Sequence, residues 1–218
     1  MPGTIPAARQ HLIDDIAKQT RKSRGRPVPL PEFVRAYYRG VGEDDLELRQ
    51  PADFAASATG HLGFGMVRRP GEPKVRVFNP EAARDGWESP HTIVEVVTDD
   101  MPFLVDSLGV VLGDSRLPIQ LMIHPVLRMS RDRRGRLLRM EDRAGEQGAM
   151  ESWQHFAVPR IGDPARHETL RQSILRMLED VRLAVADWPA IRKRALDIAR
   201  EVNAGIPAIP RGEEREAV

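Results

Sequence analysis

Asp99 and Asp100, followed by Pro102 and the apolar pair Phe103 and Leu104, are the residues whose types and spacing come nearest to chemistry in this chain. Two carboxylates can divide general acid and base work when both converge on one bond. Adjacent residues on a strand point to opposite faces, so this pair suits that task poorly. The pattern favours a structural role: capping the helix that Pro102 opens and complementing its dipole. The free backbone N–H groups of such a helix start could also receive a small anion or an amino-acid carboxylate. Ser107 follows Asp106, but no nucleophile elbow surrounds it and no base can be assigned to it.

Six histidines are present, none in an HxH or HxxxH arrangement. His124 and His155 fall on adjacent expected strands and could meet in space. With no cysteine and no carboxylate evident as a third donor, structural histidines rather than a metal centre are expected. In GHLGFG, residues 60–65, a GxGxxG starting at Gly63 would need glycine where Arg68 stands. The stretch also precedes a turn rather than following a strand, so it reads as a helix terminus and not as a phosphate cradle. The basic runs RKSRGR (21–26) and RDRRGRLLR (131–139) read as a solvated linker and a solvated hairpin tip. Three Trp, two Tyr and six Phe give no stacking platform, so no nucleic-acid partner is expected.

Composition agrees. Lys+Arg 33 against Asp+Glu 32 leaves a net charge of +1, too little for broad attraction to nucleic acid or membrane. The absence of cysteine excludes disulfides and thiolate metal sites. No apolar leader core and no long apolar run is visible, which implies no membrane partner and a cytoplasmic chain.

The elements that must hold these residues follow from periodicity. Leu12, Ile13 and Ile16 mark a short helix, and Pro27, Pro29 and Pro31 break the chain after it. Pro31 suits the first turn of a helix carrying Phe33, Val34, Tyr37 and Tyr38. Phe54, Ala55, Ala58 and Leu62 give a further helix one packed face. KVRVFN (74–79) alternates as a strand, and TIVEVVT (92–98) has Glu95 as its only charge, so both of its faces are expected to be buried. A helix with Leu104, Leu108, Val111 and Leu112 follows. Residues 119–132 form a β run that Pro125 must interrupt, GRLLRM (135–140) returns as a hairpin arm, and SWQHFAV (152–158) is another strand. Leu170, Ile174, Leu178, Val181, Val185 and Trp188 lie on one face of a long helix, with Asp163 as its expected cap.

VRVFNP (75–80), DGWESPHTIVEVVTDDMPFLVDSL (85–108) and IHPVLRMSRDRRGRLL (123–138) closely resemble the N-terminal region of the large bacterial NAD-specific glutamate dehydrogenases. Glu151–Ser152 and VADWPAIRKR (185–194) fit the same pattern, and the resemblance covers roughly residues 30–195. It implies an α+β fold: an ACT-like, ferredoxin-type antiparallel sheet of order β-α-β-β-α-β, with helices packed on one face. The domain organisation expected is an arm at 1–30, a helical subdomain at 31–70, the ACT-like domain at 71–188, and a helical extension with linker at 189–218. No strand is evident after the long helix, and KVRVFN is expected to take a sheet position beside the others.

The resemblance further implies a non-catalytic regulatory and oligomerisation segment, whose parent converts L-glutamate and NAD to 2-oxoglutarate and ammonia. NAD would belong to the parent's downstream catalytic domain, with no cofactor and no catalytic residue in this segment. The rest of the parent chain is the implied partner, homo-oligomers are implied, and an amino-acid effector is possible. Its ligand junction maps onto Asp100, Met101, Pro102, Phe103 and Leu104. Backbone amides near Pro102 to Leu104 would hold a carboxylate and Asp100 an amino group, but Phe103 replaces the family's usual glycine and adds bulk there. The alternatives are a freestanding ACT-like sensing or interaction module and, more remotely, an independent enzyme using Asp99 or Asp100.

Overall fold

The computed structural model describes residues 7–20, 27–141 and 148–205. The basic run at 21–26, the polar loop at 142–147 and the tail from 206 lie outside them. The elements are α1 (Ala7–Lys18), α2 (Leu30–Tyr38), α3 (Glu43–Leu46), α4 (Pro51–Gly65), β1 (Lys74–Phe78), α5 (Ala82–Asp85), β2 (His91–Asp99), α6 (Leu104–Asp114), β3 (Leu121–Ile123), β4 (Val126–Arg131), β5 (Leu137–Glu141), β6 (Ala149–Pro159) and α7 (Pro164–Gly205). Pro31 and Pro51 sit in the first turns of α2 and α4, where a missing N–H costs nothing.

The sheet runs β1-β2-β6-β4-β5, with β3 also paired to β6, and every pairing is antiparallel. Between β2 and the β3–β4 pair the chain crosses through α6, and β6 inserts between them, a split β-α-β arrangement. Among the described residues no strand follows α7. The KVRVFN stretch takes the sheet position expected of it: as β1 it occupies the outer edge of β2, pairing Lys74 with Val97 and Phe78 with Ile93. Pro125 divides β3 from β4 as its missing donor requires, yet its carbonyl still accepts from the Trp153 N–H at 3.0 Å.

Alternation along β2 and β6 divides the interior into two cores. Val94, Val96, Phe156 and Val158 pack under α6 and α7 with Leu104, Leu108, Leu170 and Ile174. Ile93, Val97, Trp153 and Ala157 face the other way, onto Ile13, Phe33, Phe54 and Leu62 of the N-terminal helices. Those helices therefore share a core with the sheet rather than packing only on themselves. Close approach of α4 depends on Gly65: a Cβ there would stand 2.1 Å from the Trp153 ring.

Asp163 caps α7 as expected, accepting from the Ala165 N–H at 2.9 Å. Leu170, Ile174, Leu178 and Val181 are buried, whereas Trp188 is 60% and Ile191 56% exposed. The helix continues through Pro189 to Gly205, so the expected boundary at 188/189 falls within one continuous helix.

Candidate functional site

The β2–α6 junction differs from expectation at its acidic end. α6 begins at Leu104, and its cap position is Phe103, with no side-chain cap bond. Neither Asp99 nor Asp100 caps it. Asp99 instead accepts from Arg68 and from the Gly71 N–H, both at 2.6 Å, while the Asp100 N–H extends the sheet by donating to the Met150 carbonyl. Phe103 has φ 69° and ψ 2°, the left-handed conformation that glycine adopts freely and other residues adopt at a cost. Phe103 is 66% exposed, so it projects outward rather than packing inward. Asp100 and Pro102 are also exposed, Met101 is half-buried, and Leu104 is buried in the core beneath α6.

A second cluster joins β4, β6 and the strand-like stretch after α4. Arg131 grips Glu151 with two bonds, at 2.6 and 2.8 Å, and Arg68 reaches Glu151 at 2.8 Å. Arg68, Glu151 and Arg131 are almost completely buried. Arg131 is thus not solvated charge at a hairpin tip, as its run suggested; it closes a buried ion-pair network. An open cleft of 470 Å³ lies over it, lined by Ser130, Arg131 and Arg139, and Arg139 itself pairs with Glu141.

The third cluster lies between the helical layer and the sheet centre. Glu95 on β2 stands opposite His155 on β6, and His61 approaches from α4. All three are fully buried. His155 Nδ1 is 3.2 Å from Glu95 Oε1, the Arg76 guanidinium donates to Glu95 Oε2 at 2.6 Å, and Tyr37 Oη meets His61 Nδ1 at 2.8 Å. His124, which the sequence suggested as a neighbour of His155, bonds Ser152 instead. The carboxylate that was not evident in the sequence as a neighbour of His155 is Glu95.

Burial pushes the His61 pKa down to about 4, with Glu95 opposing and His155 adding to the effect. Burial also lowers His155, against the pull of Glu95. Burial alone would raise the Glu95 pKa, but His61, His155 and Arg76 outweigh it and hold the group below the ordinary carboxylate value. At neutral pH the cluster therefore comprises two uncharged imidazoles and an ionised carboxylate paired with Arg76. The sequence carried part of this signal. Glu95 is the lone charge within TIVEVVT (92–98), a stretch buried on both faces, and His61 falls among Phe54, Ala58 and Leu62 on the packed side of α4.

Residues 33–174 match the family described as glutamate dehydrogenase, ACT1 domain. The NAD-specific glutamate dehydrogenase of Halomonas elongata is 32% identical over 216 residues, which is 97% of this chain and 13% of that protein. Its counterpart from Pseudomonas aeruginosa is 28% identical over 212 residues, 95% of this chain and 13% of its own length. The Mycobacterium tuberculosis protein of the same name is 26% identical over 193 residues, covering 81% of this chain and 12% of that protein. The chain thus spans about an eighth of the length of the curated relatives it matches.

Proposed function

The chain belongs to the glutamate dehydrogenase ACT1 domain family, and from that premise we propose that it is the non-catalytic, N-terminal regulatory and assembly segment of an NAD-dependent glutamate dehydrogenase. The parent would oxidatively deaminate L-glutamate to 2-oxoglutarate and ammonia. The organisation proposed is an arm at 1–30, a helical subdomain at 31–70, the ACT-like domain at 71–188, and an extension at 189–218 that starts within α7.

The division of α7 carries this reading. Its beginning buries Leu170, Ile174 and Leu178 against the sheet, while from Leu183 onward Leu183, Trp188, Ile191, Leu196 and Ile198 stand at 45–60% exposure. An apolar series on a helix that has left its own core is the surface on which the rest of a longer chain, or a second protomer, would dock. NAD itself does not fit these residues. The glycines at 60–65 lie in the last turns of α4, and the β2–α6 turn, Asp100-Met101-Pro102-Phe103, has no glycine to let a pyrophosphate approach. On this reading NAD is bound by the remainder of the parent.

An amino acid is the proposed effector. Backbone amides near Pro102 to Leu104 would hold its carboxylate and Asp100 its amino group, a placement supported by the α6 start that no side chain caps. We place the assembly in the cytoplasm as a homo-oligomer. No helix among the described residues is long and apolar enough to cross a membrane. A freestanding amino-acid-sensing or interaction module is the second reading, favoured by the two well-filled cores.

The test uses the isolated chain and the parent dehydrogenase side by side. The chain alone should produce no NADH from glutamate and NAD. Trp188→Glu with Ile191→Glu in the parent should reduce its native mass or shift its glutamate saturation curve. NADH production by the isolated chain, or a doubly substituted parent of unchanged mass and kinetics, would contradict the assignment.

A further inference from the structure

We propose that His61, Glu95 and His155 form a binding site for one divalent transition cation of the zinc class, joining the N-terminal helical layer to the centre of the sheet. One donor atom from each side chain lies within 4.8 Å of the other two. The donors come from α4, β2 and β6, so an ion held by all three would tie three elements together at one point. Two imidazoles and a carboxylate are a donor set that zinc accepts, with bonds of about 2.0–2.2 Å. Such bonds would bring the donor atoms to roughly 3.4 Å from one another, a closure within reach of small side-chain rotations.

A second observation concerns the same residues. His61 Nε2 and His155 Nε2 are buried without a hydrogen-bond partner of ordinary geometry, although the Val96 backbone lies close enough to the His61 ring to act on it. Buried polar atoms of this kind are uncommon, and each calls for an explanation. His61 Nδ1 is already engaged by the Tyr37 hydroxyl. If Nδ1 donates to Tyr37 Oη, the lone pair on Nε2 is left for a cation, and the tyrosine fixes the ring, as hydrogen-bonded neighbours of metal ligands do. Both Glu95 oxygens are engaged, Oε2 by Arg76 and Oε1 by His155 Nδ1, so a bound cation would take Oε1 in place of that contact with His155. Arg76 orients the carboxylate, and its positive charge limits affinity below that of a site with an unshared carboxylate.

The competing occupant is a water bridging the two ring nitrogens, and metal titration separates the two. The full chain is stripped with a chelator and titrated with Co2+, followed by visible absorption, native mass and thermal melting. We expect one Co2+ per chain, a nitrogen- and oxygen-ligand absorption band displaced by Zn2+, and a higher Tm. His61→Gln and Glu95→Gln should abolish the band, whereas His124→Gln should leave it. Tyr37→Phe should weaken binding by about 10–100-fold. If the first two variants do not fold, the wild-type stoichiometry and the Tyr37→Phe shift decide. No band in the wild-type chain, or a band that persists in folded His61→Gln, overturns the proposal.

Discussion

Glu95 and His155 face each other in register across the β2–β6 pair, and their side chains meet at 3.2 Å in a fully buried position. Neither has water to fall back on, so the protonation of each is a term in the stability of the fold. His61, fully buried beside them with its pKa near 4, makes the consequence largest.

Unfolded, His61 titrates near 6.5; folded, near 4. Between those values the unfolded chain binds more protons, so stability rises with pH across the window and is lost as pH falls through it. The shift corresponds to roughly 3 kcal/mol. His155, also lowered by burial, acts in the same direction. Glu95, held below its usual value, contributes stability above the unfolded pKa of 4.5 that is lost at still lower pH. Urea unfolding at pH 4, 5, 6 and 7 should show this slope in the wild type and a shallower one in His61→Gln. Equal slopes would remove His61 as the cause.

Glu151 pairs with two guanidinium groups at once in the interior. Glu151→Gln would leave Arg131 without its charge partner and Arg68 with Asp99 alone, and breaking a buried pair in this way costs about 3–5 kcal/mol. Denaturant midpoints should fall accordingly. A loss under 1 kcal/mol, as for a surface pair, would show that solvent reaches the network.

Phe103→Gly removes a left-handed residue that costs roughly 1–2 kcal/mol and adds unfolded-chain entropy of about 0.4–1 kcal/mol. The folded protein should be unchanged or up to about 1 kcal/mol more stable. Phe103→Ile, with a branched Cβ at the same φ of 69°, should be destabilised. Thermal melting of both checks the backbone argument. Calorimetry with amino acids checks the proposed effector site, where Phe103→Gly should bind more tightly if bulk obstructs it; unchanged binding would sink that explanation.

Gly65→Ala would place a Cβ 2.1 Å from the Trp153 ring. Overpacking of this kind costs about 1–3 kcal/mol, and the Trp153 fluorescence should shift as the ring moves. A silent substitution would mean that α4 can retreat from the sheet freely.

Local pattern made most elements legible. The four-three steps from Leu170 to Val181 are the buried face of α7, the largely apolar run of β2 with Glu95 at its centre is buried on both sides, and Pro125 interrupts its β run. What stayed hidden depends on partners distant in sequence. Asp99 looked like a cap because Pro102 is near in the chain, yet Arg68, thirty-one residues earlier, takes it. Glu151 meets Arg131 only because β4 pairs with β6, and His61 meets Glu95 only because the helical layer lies on that face of the sheet. The buried length of β2 already required cover on both faces. Nothing local in the sequence said which helices would supply it.

The central claim is that this chain is one segment of a much longer dehydrogenase, and the most direct measurement is the size of the native polypeptide. An antibody raised against residues 1–218 should detect in the source cell a band several times heavier than 24.5 kDa. A single band at 24.5 kDa would contradict the account and make the chain a freestanding module that shares the family's fold.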